Sequence, residues 1–260
     1  MRFLVVAVLM VGLTRLPIAT ADQISTLRPL ILARMDHDPS AYTEGMFLDS
    51  AAGAPVLYES TGLVGQSELR EVDPDSGQVR RTVPLPPTYF GEGIADAGAH
   101  LWQLTYENGV AIEWDKPTLT VVREVPLHGQ GWGLCRAGDH LIRSDGSPVL
   151  HLHAVDDMHE TGTMTVTYNG IQLSGLNGLD CVGNQIWANV FPTDQMVQID
   201  ATTGAVRAVV YADGLLDPAQ RRDAGVLNGI AHLGGAISDG QFLITGKNWP
   251  TMFRVRFDSA

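Results

Sequence analysis

The chain has 260 residues, of which 45% are hydrophobic and 18% charged. Such a chain is too apolar to be disordered and long enough to bury a sizeable core. It carries 17 basic and 29 acidic residues, for a net charge of −12, which argues against a nucleic-acid partner because the surface would repel a phosphate backbone.

The first 21 residues have the pattern of a secretory signal peptide. Met1-Arg2 gives a basic start, an apolar run extends from Phe3 to Leu13, and Ala19-Thr20-Ala21 gives a small-residue cleavage site. A retained membrane anchor is the weaker interpretation, because the apolar run is short for a bilayer and Arg15 follows it closely. We therefore expect an exported protein, periplasmic or secreted, with no membrane contact after cleavage.

A fivefold repeat runs through the rest of the chain. The repeated triplets are Glu44-Gly45-Met46, Glu92-Gly93-Ile94, Trp132-Gly133-Leu134, Asn177-Gly178-Leu179 and Asn228-Gly229-Ile230. Each triplet opens a stretch of about four short strand-like segments separated by turn residues. This pattern predicts an all-β fold: a five-bladed β-propeller of four-stranded blades, forming a single domain over residues 22–260. An open β-sandwich of two Greek keys is less compatible with so regular a repeat.

The two ends of the mature chain are predicted to close the ring of blades. The fifth repeat has three strands before the chain ends at Ala260, and the segment from Leu27 to Met35 precedes the first triplet. Pairing this N-terminal strand with the last blade would supply its missing outer strand and remove an exposed edge. A short helical insertion is predicted from Asp217 to Asp223. Whether the two cysteines, Cys135 and Cys181, form a disulfide is left open by the sequence.

The residue before each repeated glycine is predicted to face the central channel. The first strand of a propeller blade lines the axis, and glycine lets several strands approach it without crowding by Cβ atoms. The predicted ring consists of Glu44, Glu92, Trp132, Asn177 and Asn228. Polar groups near a narrow axis are costly to desolvate unless they bind something, so the ring indicates a binding or catalytic site, with a hydrated channel as the alternative.

Two acids of the predicted ring suggest acid–base chemistry. Glu44 and Glu92 belong to consecutive blades, and their mutual repulsion would raise the pKa of one carboxyl so that it keeps a proton at neutral pH. Such a pair supports proton transfer. Lys247 follows the second strand of the last blade, beside the first blade, where it would offset the acids or stabilise an oxyanion. The commoner fate of such a lysine is a solvated turn.

Short motifs between Asp36 and Phe257 resemble those of one enzyme family. They include Ala41-Tyr42-Thr43-Glu44-Gly45, Tyr89-Phe90-Gly91-Glu92-Gly93, Gln103-Leu104-Thr105, Gly131-Trp132-Gly133-Leu134, Ser144-Asp145-Gly146, Leu176-Asn177, Ala188-Asn189-Val190 and Gly246-Lys247-Asn248-Trp249-Pro250. In their number and order they resemble the plant and bacterial type of glutaminyl-peptide cyclotransferase (glutaminyl cyclase), a five-bladed propeller unrelated to the zinc-dependent animal type. The resemblance implies that N-terminal glutamine of peptides or proteins is converted to pyroglutamate with release of ammonia.

The resemblance also implies roles for single residues. The catalytic glutamate of the family falls on Glu92, which would act as the proton shuttle, and Asn177 and Lys247 would hold the carboxamide oxygen as it becomes anionic. The substrate-binding positions fall on Tyr42, Glu44, Phe90 and Trp132, with Tyr106 and Phe191 at two places where the family favours tryptophan. The alternative for these aromatic residues is a place in the propeller core, and it applies most readily to Phe90.

The chain departs from the family pattern at further positions. Glu44 stands where the plant members have glutamine, and Gly178 and Asp180 replace the two acids of a Glu-Leu-Glu stretch. The substitutions at Tyr106, Phe191 and Gly178 leave a non-catalytic peptide-binding propeller open as an alternative.

No metal or other cofactor is expected. The eight histidines are scattered, and His151 with His153, which alternate on one strand, is interpreted as a solvent-facing pair. A calcium-dependent propeller hydrolase of the lactonase type is the other alternative, since the acids and amides of the ring are hard oxygen donors. Lys247 would repel a cation there and argues against it. We expect the mature protein to be a monomer.

Overall fold

The computed structural model describes residues 23–50, 53–234 and 240–260. The predicted signal peptide lies outside the described residues. In the described ranges the regular structure is β-strand apart from a single 3-10 helix over Gln220–Arg222, which falls inside the predicted helical insertion. None of the described helices is long and apolar enough to cross a membrane. The all-β prediction is therefore confirmed.

The strands group into four-stranded units that follow one another along the chain. The first unit contains β2 (Thr43–Asp49), β3 (Val56–Thr61), β4 (Glu68–Val72) and β5 (Val79–Pro84). The second contains β6 (Gly91–Ala97), β7 (His100–Thr105), β8 (Val110–Asp115) and β9 (Thr120–Pro126). The third contains β10 (Leu134–Ala137), β11 (His140–Arg143), β12 (Val149–Ala154) and β13 (Glu160–Thr165). Within each unit consecutive strands pair antiparallel.

The fourth and fifth units share one eight-stranded sheet. The fourth contains β16 (Leu176–Val182), β17 (Gln185–Val190), β18 (Gln195–Asp200) and β19 (Val206–Tyr211). The fifth contains β20 (Leu227–His232), β21 (Gln241–Gly246), β22 (Thr251–Ser259) and the N-terminal strand β1 (Ser25–Asp36). A small hairpin of β14 (Thr167–Tyr168) and β15 (Ile171–Gln172), which the sequence analysis did not predict, precedes the fourth unit.

The N-terminal strand closes the propeller as predicted. It pairs antiparallel with β22 along most of its length, with Met35 opposite Met252, and so supplies the fourth strand of the fifth unit. Its first residues also pair parallel with β19, with Thr26 opposite Val209, and this pairing joins the fourth and fifth units. The strand is longer than predicted because it has partners on both sides.

The first strands of the five units contact one another in a closed ring around the axis. A Cβ atom on Gly45 would lie 2.8 Å from the Cα atom of Gly93, and one on Gly133 would lie 2.1 Å from the carbonyl oxygen of Asn177. Real Cβ atoms do not approach backbone this closely, so only glycine permits the spacing. The role predicted for the repeated glycines is confirmed at these positions.

Cys135 on β10 and Cys181 on β16 form a disulfide, with their Cα atoms 5.5 Å apart. The sheet hydrogen bonds of the third and fourth units do not connect these two strands, so the disulfide adds a covalent link between neighbouring units. This pairing answers the question that the sequence left open.

We expect the double variant Cys135→Ser/Cys181→Ser to lose about 4 kcal/mol of unfolding free energy. A disulfide restricts the unfolded chain, and a sequence separation of 46 residues gives about this value on the chain-entropy scale. Urea unfolding followed by tryptophan fluorescence measures the loss, and the reduced wild-type protein should match the variant. A difference below about 1 kcal/mol would contradict the expectation.

Candidate active site

A cavity of about 200 Å³ opens at the end of the axis where the first strands begin. It is lined by Tyr42, Glu44, Phe90, Glu92, Tyr106, Trp132, Asn177, Phe191 and Lys247. These are the nine residues that the sequence analysis assigned to the site, and the structure brings all of them together. Pockets for drug-sized ligands measure roughly 300–1,000 Å³, so this cavity suits a single amino-acid residue.

Irregular strand pairing aims the ring residues into the cavity. The register of β2 shifts between Thr43 and Gly45, and that of β16 shifts between Leu176 and Leu179. The corresponding shifts occur in β6 and β20. Such β-bulges break the alternation of side chains and redirect the extra residue. The sequence pattern indicated which residues face the axis but not the bulge that turns them there.

Glu44 lies at the centre of a buried polar cluster. Lys247 donates a hydrogen bond from Nζ to its Oε1 at 2.7 Å, and Asn228 donates from Nδ2 to its Oε2 at 2.7 Å. Asn228, the fifth member of the predicted ring, is fully buried and does not line the cavity. Asn228 therefore fixes the Glu44 carboxyl by a hydrogen bond without lining the cavity itself, a role that the sequence did not predict.

The positive charge of Lys247 is retained inside the protein. Burial disfavours that charge, but the carboxylate of Glu44 outweighs burial and raises the pKa of Lys247. The Nζ atom also lies 4.6 Å from the ring centroid of Tyr42 and 5.9 Å from that of Phe191, over the aromatic faces. Lys247 is therefore a charged residue of the cavity wall and not a solvated turn residue.

Glu92 and Glu44 share a hydrogen bond between their carboxyl groups. Burial, and then the negative charge of Glu44, raise the pKa of Glu92 well above its ordinary value. Burial also raises the pKa of Glu44, to about 7, while Lys247 opposes that rise. Glu92 is therefore the carboxyl that keeps its proton, and Glu44 is the one that takes the charge beside Lys247.

We expect Glu44→Gln to move the limb of the pH–activity profile that Glu92 governs to lower pH. The substitution removes the negative charge that raises the pKa of Glu92 and leaves Lys247 to favour ionised Glu92. The pH dependence of kcat/KM for one fixed peptide measures the shift in wild type and variant. An unchanged limb, or a shift to higher pH, would contradict the coupling of the two acids.

Two buried acceptor atoms of the cavity wall are without a partner. Glu92 Oε2 and Asn177 Oδ1 find no hydrogen-bond partner in the part of the chain that the structure describes. An unpaired buried polar atom costs about 1–3 kcal/mol, and in native proteins it usually has a functional explanation. Both residues line the cavity, so a ligand with N–H groups would satisfy them.

The backbone of Asn177 is anchored by Ser144, a buried residue that the sequence analysis did not assign to the site. Ser144 donates a hydrogen bond from Oγ to the carbonyl oxygen of Asn177 at 2.8 Å, and it accepts one from the backbone N–H of Gly133 at 2.8 Å. Ser144 therefore connects the two ring positions of neighbouring units. The sequence feature that could have pointed to Ser144 is its place in the Ser144-Asp145-Gly146 motif.

Aromatic rings form the rest of the cavity wall. Phe90 lies between Tyr42 and Tyr106, with ring centroids 6.2 Å and 5.8 Å away, and it is partly exposed. Phe90 lines the cavity, so the alternative of a core-only role does not hold for it. On the opposite side Trp132 and Phe191 meet edge to face at 5.7 Å.

The prediction of a solvent-facing histidine pair is wrong for His153. This residue is buried, accepts a hydrogen bond at Nε2 from Arg143 at 3.1 Å, and bonds the carbonyl oxygen of Met158 through Nδ1 at 2.7 Å. His151 is partly exposed and pairs with Asp145. Alternation on a strand predicted one shared face, but not that this face is covered by a buried arginine.

A second cavity, of about 340 Å³, opens at the opposite end of the axis, where the first strands finish. Asp180, three residues after Asn177 on β16, lines this second cavity and accepts hydrogen bonds from the backbone N–H groups of Cys181 and His232. Burial raises the pKa of Asp180 to about 7. Its departure from the family pattern therefore does not alter the lining of the predicted site.

The chain is similar to known glutaminyl cyclases in sequence and in structure. Residues 4–257 match the family model described as glutamine cyclotransferase. The chain is 34% identical over 235 residues to a glutaminyl-peptide cyclotransferase of Arabidopsis thaliana, covering 88% of this chain and 71% of that protein. It superposes on the crystal structure of Myxococcus xanthus glutaminyl cyclase with a TM-score of 0.80 and 31% identity, covering 92% of this chain and 100% of that one.

Proposed function

The chain belongs to the glutamine cyclotransferase family and is a glutaminyl-peptide cyclotransferase; we propose that Glu92 carries its chemistry as the proton shuttle. The observation that carries the proposal is the buried carboxyl of Glu92 in the cavity wall, whose pKa is raised and whose Oε2 atom has no hydrogen-bond partner among the described residues. A buried carboxyl group whose pKa is raised can hold a proton, give it up and take one back.

The substrate is the N-terminal glutamine of a peptide or protein. The cavity has room for one such residue, and its rings from Tyr106, Trp132 and Phe191 would pack on the side chain and bend it. This bend would hold the α-amine nitrogen close to the carboxamide carbon in attack geometry. Such proximity supplies much of the acceleration of an intramolecular reaction. The unpaired acceptors of Glu92 and Asn177 would receive N–H groups of the substrate.

The proposed reaction moves one proton. The neutral α-amine nitrogen attacks the carboxamide carbon and forms the ring C–N bond. Glu92, which starts protonated, gives its proton to the departing nitrogen and takes one from the ring nitrogen, so the old C–N bond breaks, ammonia leaves and Glu92 returns to its starting state. Pyroglutamate and ammonia account for all atoms of the glutamine residue, and no oxidant or water is consumed.

Lys247 and Asn177 are proposed to stabilise the carboxamide oxygen while it carries negative charge. Lys247 uses one hydrogen bond on Glu44 and keeps two further N–H donors at the cavity wall. The side-chain amide of Asn177 supplies both a donor and an acceptor in the same place. Donors fixed before the reaction act strongly in a site that excludes water.

We also propose that the protein is exported. The leader-like first 21 residues support this, and so does the disulfide between Cys135 and Cys181, since disulfides persist in oxidising compartments. Fractionation of cells that produce the full chain would place it in the periplasm or the medium, and retention in the cytoplasm would contradict the proposal.

The test of function is incubation of the purified protein with a glutamine-leading peptide. We expect release of ammonia and loss of the free α-amine, and no reaction with the same peptide carrying an alanine first. Activity that survives chelator treatment separates this reaction from a calcium-dependent hydrolase. Binding of the peptide without ammonia release would instead favour the non-catalytic propeller.

A further inference from the structure

The indole of Trp132 is held in one orientation by groups around it. Its Nε1 donates a hydrogen bond to Oε1 of Gln130 at 3.0 Å, and its ring meets Phe191 edge to face. On another side lies Gly146, at a positive φ of 80°, where a Cβ atom would come within 2.6 Å of the indole. Among the described residues Gln130 is the one that hydrogen-bonds the indole, and because such a bond is directional it fixes where the indole N–H points.

Gln130 does not line the cavity but bridges it to the rim. While its Oε1 accepts from Trp132, its Nε2 donates to Oε1 of Glu107, an exposed residue, at 2.7 Å. Both ends of the side-chain amide are therefore engaged, and the donor and acceptor pattern allows only one orientation of the amide. The carboxylate of Glu107 thus fixes the orientation in which the amide oxygen faces the indole.

The backbone of Gln130 is fixed by a buried arginine. Arg143 is 1% exposed and donates a hydrogen bond from its guanidinium to the carbonyl oxygen of Gln130. Arg143 in turn donates from Nε to Nε2 of His153, which is itself bonded to the backbone. A rigid chain of contacts therefore extends from the interior of the third unit through Gln130 to the cavity wall.

We propose that Gln130 is a positioning residue for substrate binding, acting through the indole of Trp132. Because the indole forms one wall of the cavity, its orientation decides how well a glutamine side chain packs there. Gln130 acts on substrate affinity and not on proton transfer, which takes place at Glu92. This proposal rests on the proposed function, since it assumes that N-terminal glutamine occupies the cavity.

Kinetics of Gln130→Leu test the proposal. Leucine keeps most of the side-chain volume and removes both hydrogen bonds. KM should therefore rise about three- to tenfold, which corresponds to the loss of one neutral hydrogen bond, while kcat changes less than twofold. In a Trp132→Phe background, which lacks the indole N–H, the same substitution should have no further effect. An equal effect in both backgrounds would overturn the proposal.

An exchange of the two rim partners tests the bridge itself. In Gln130→Glu/Glu107→Gln, a carboxylate accepts from the indole and an amide donates to that carboxylate, so KM should return to within about twofold of wild type. Gln130→Glu alone places two carboxylates together, so its KM should stay above the wild-type value. Gln78→Leu, at an exposed turn residue in the first unit, is the control for adding leucine and should leave KM unchanged.

Tryptophan fluorescence gives a readout that does not depend on turnover. All five tryptophans lie in the described ranges, and Trp132 alone among them is not buried, so iodide quenching reports mainly on Trp132. Release of the indole in Gln130→Leu should increase quenching relative to wild type and to Gln78→Leu. Unchanged quenching in Gln130→Leu would overturn the proposal for Gln130, whatever the substrate of the protein proved to be. Increased quenching, together with no cyclisation by the wild-type protein, would overturn only the proposed function.

Discussion

Replacement of Glu92 by glutamine is expected to lower kcat for cyclisation by about a hundred- to ten-thousandfold, the usual contribution of a positioned acid–base group. The amide has nearly the shape of the carboxyl and can still bond Glu44, but it can neither take the proton from the α-amine nor return one to the leaving ammonia. KM should change little, because the packing of the glutamine side chain on the cavity wall is retained. Ammonia release under saturating peptide measures the effect.

A stability measurement separates this chemical loss from a folding defect. Between the ordinary carboxyl pKa and the raised value in the protein, folded Glu92 holds a proton that the unfolded chain lacks, so its contribution to stability is lost as pH rises. Glu92→Gln has no such proton to lose and should show a weaker decline of unfolding free energy toward alkaline pH. Normal turnover in a folded variant would discard Glu92 as the shuttle and leave Glu44 as the acid nearest to the site.

The architecture was predictable from the sequence because each unit of a propeller carries the same short sequence pattern. Five polar- or aromatic-Gly-aliphatic triplets marked the first strand of every unit, and the unassigned segment before the first triplet predicted the closing strand. The hairpin of β14 and β15 was missed since two-residue strands carry no periodic signal.

The members of the site were predictable, but their connections were not. The nine lining residues follow from the ring positions and from the family motifs, and all nine meet in one cavity. The bond from Asn228 to Glu44, and that from Trp132 to Gln130, depend on bulges and side-chain rotamers that no sequence spacing encodes. The error at His153 has the same origin, because its hydrogen bond with the buried Arg143 also depends on side-chain rotamers.

Lys247→Met is expected to destabilise the protein by about 3 kcal/mol at alkaline pH and by less at acidic pH. Removing one partner of a buried ion pair leaves the other charge uncompensated, and Glu44 is 1% exposed. Glu44 escapes that penalty by taking a proton, which it does more readily because loss of Lys247 raises its pKa further. The loss of unfolding free energy should therefore grow as pH rises, as urea titrations at pH values either side of neutral would show.

The double variant Glu44→Gln/Lys247→Met shows which part of that effect comes from charge. With both charges absent no buried ion is left unpaired between these two positions, so stability should recover and the pH dependence of the loss should disappear. The pH–activity profile separates the two single variants. Loss of Lys247 raises the pKa of Glu92, so the limb that Glu92 governs moves to higher pH in Lys247→Met, whereas it moves to lower pH in Glu44→Gln. If the single and double variants were equally unstable at every pH, Lys247 would act by packing alone, and the electrostatic account of how Glu92 keeps its proton would fail.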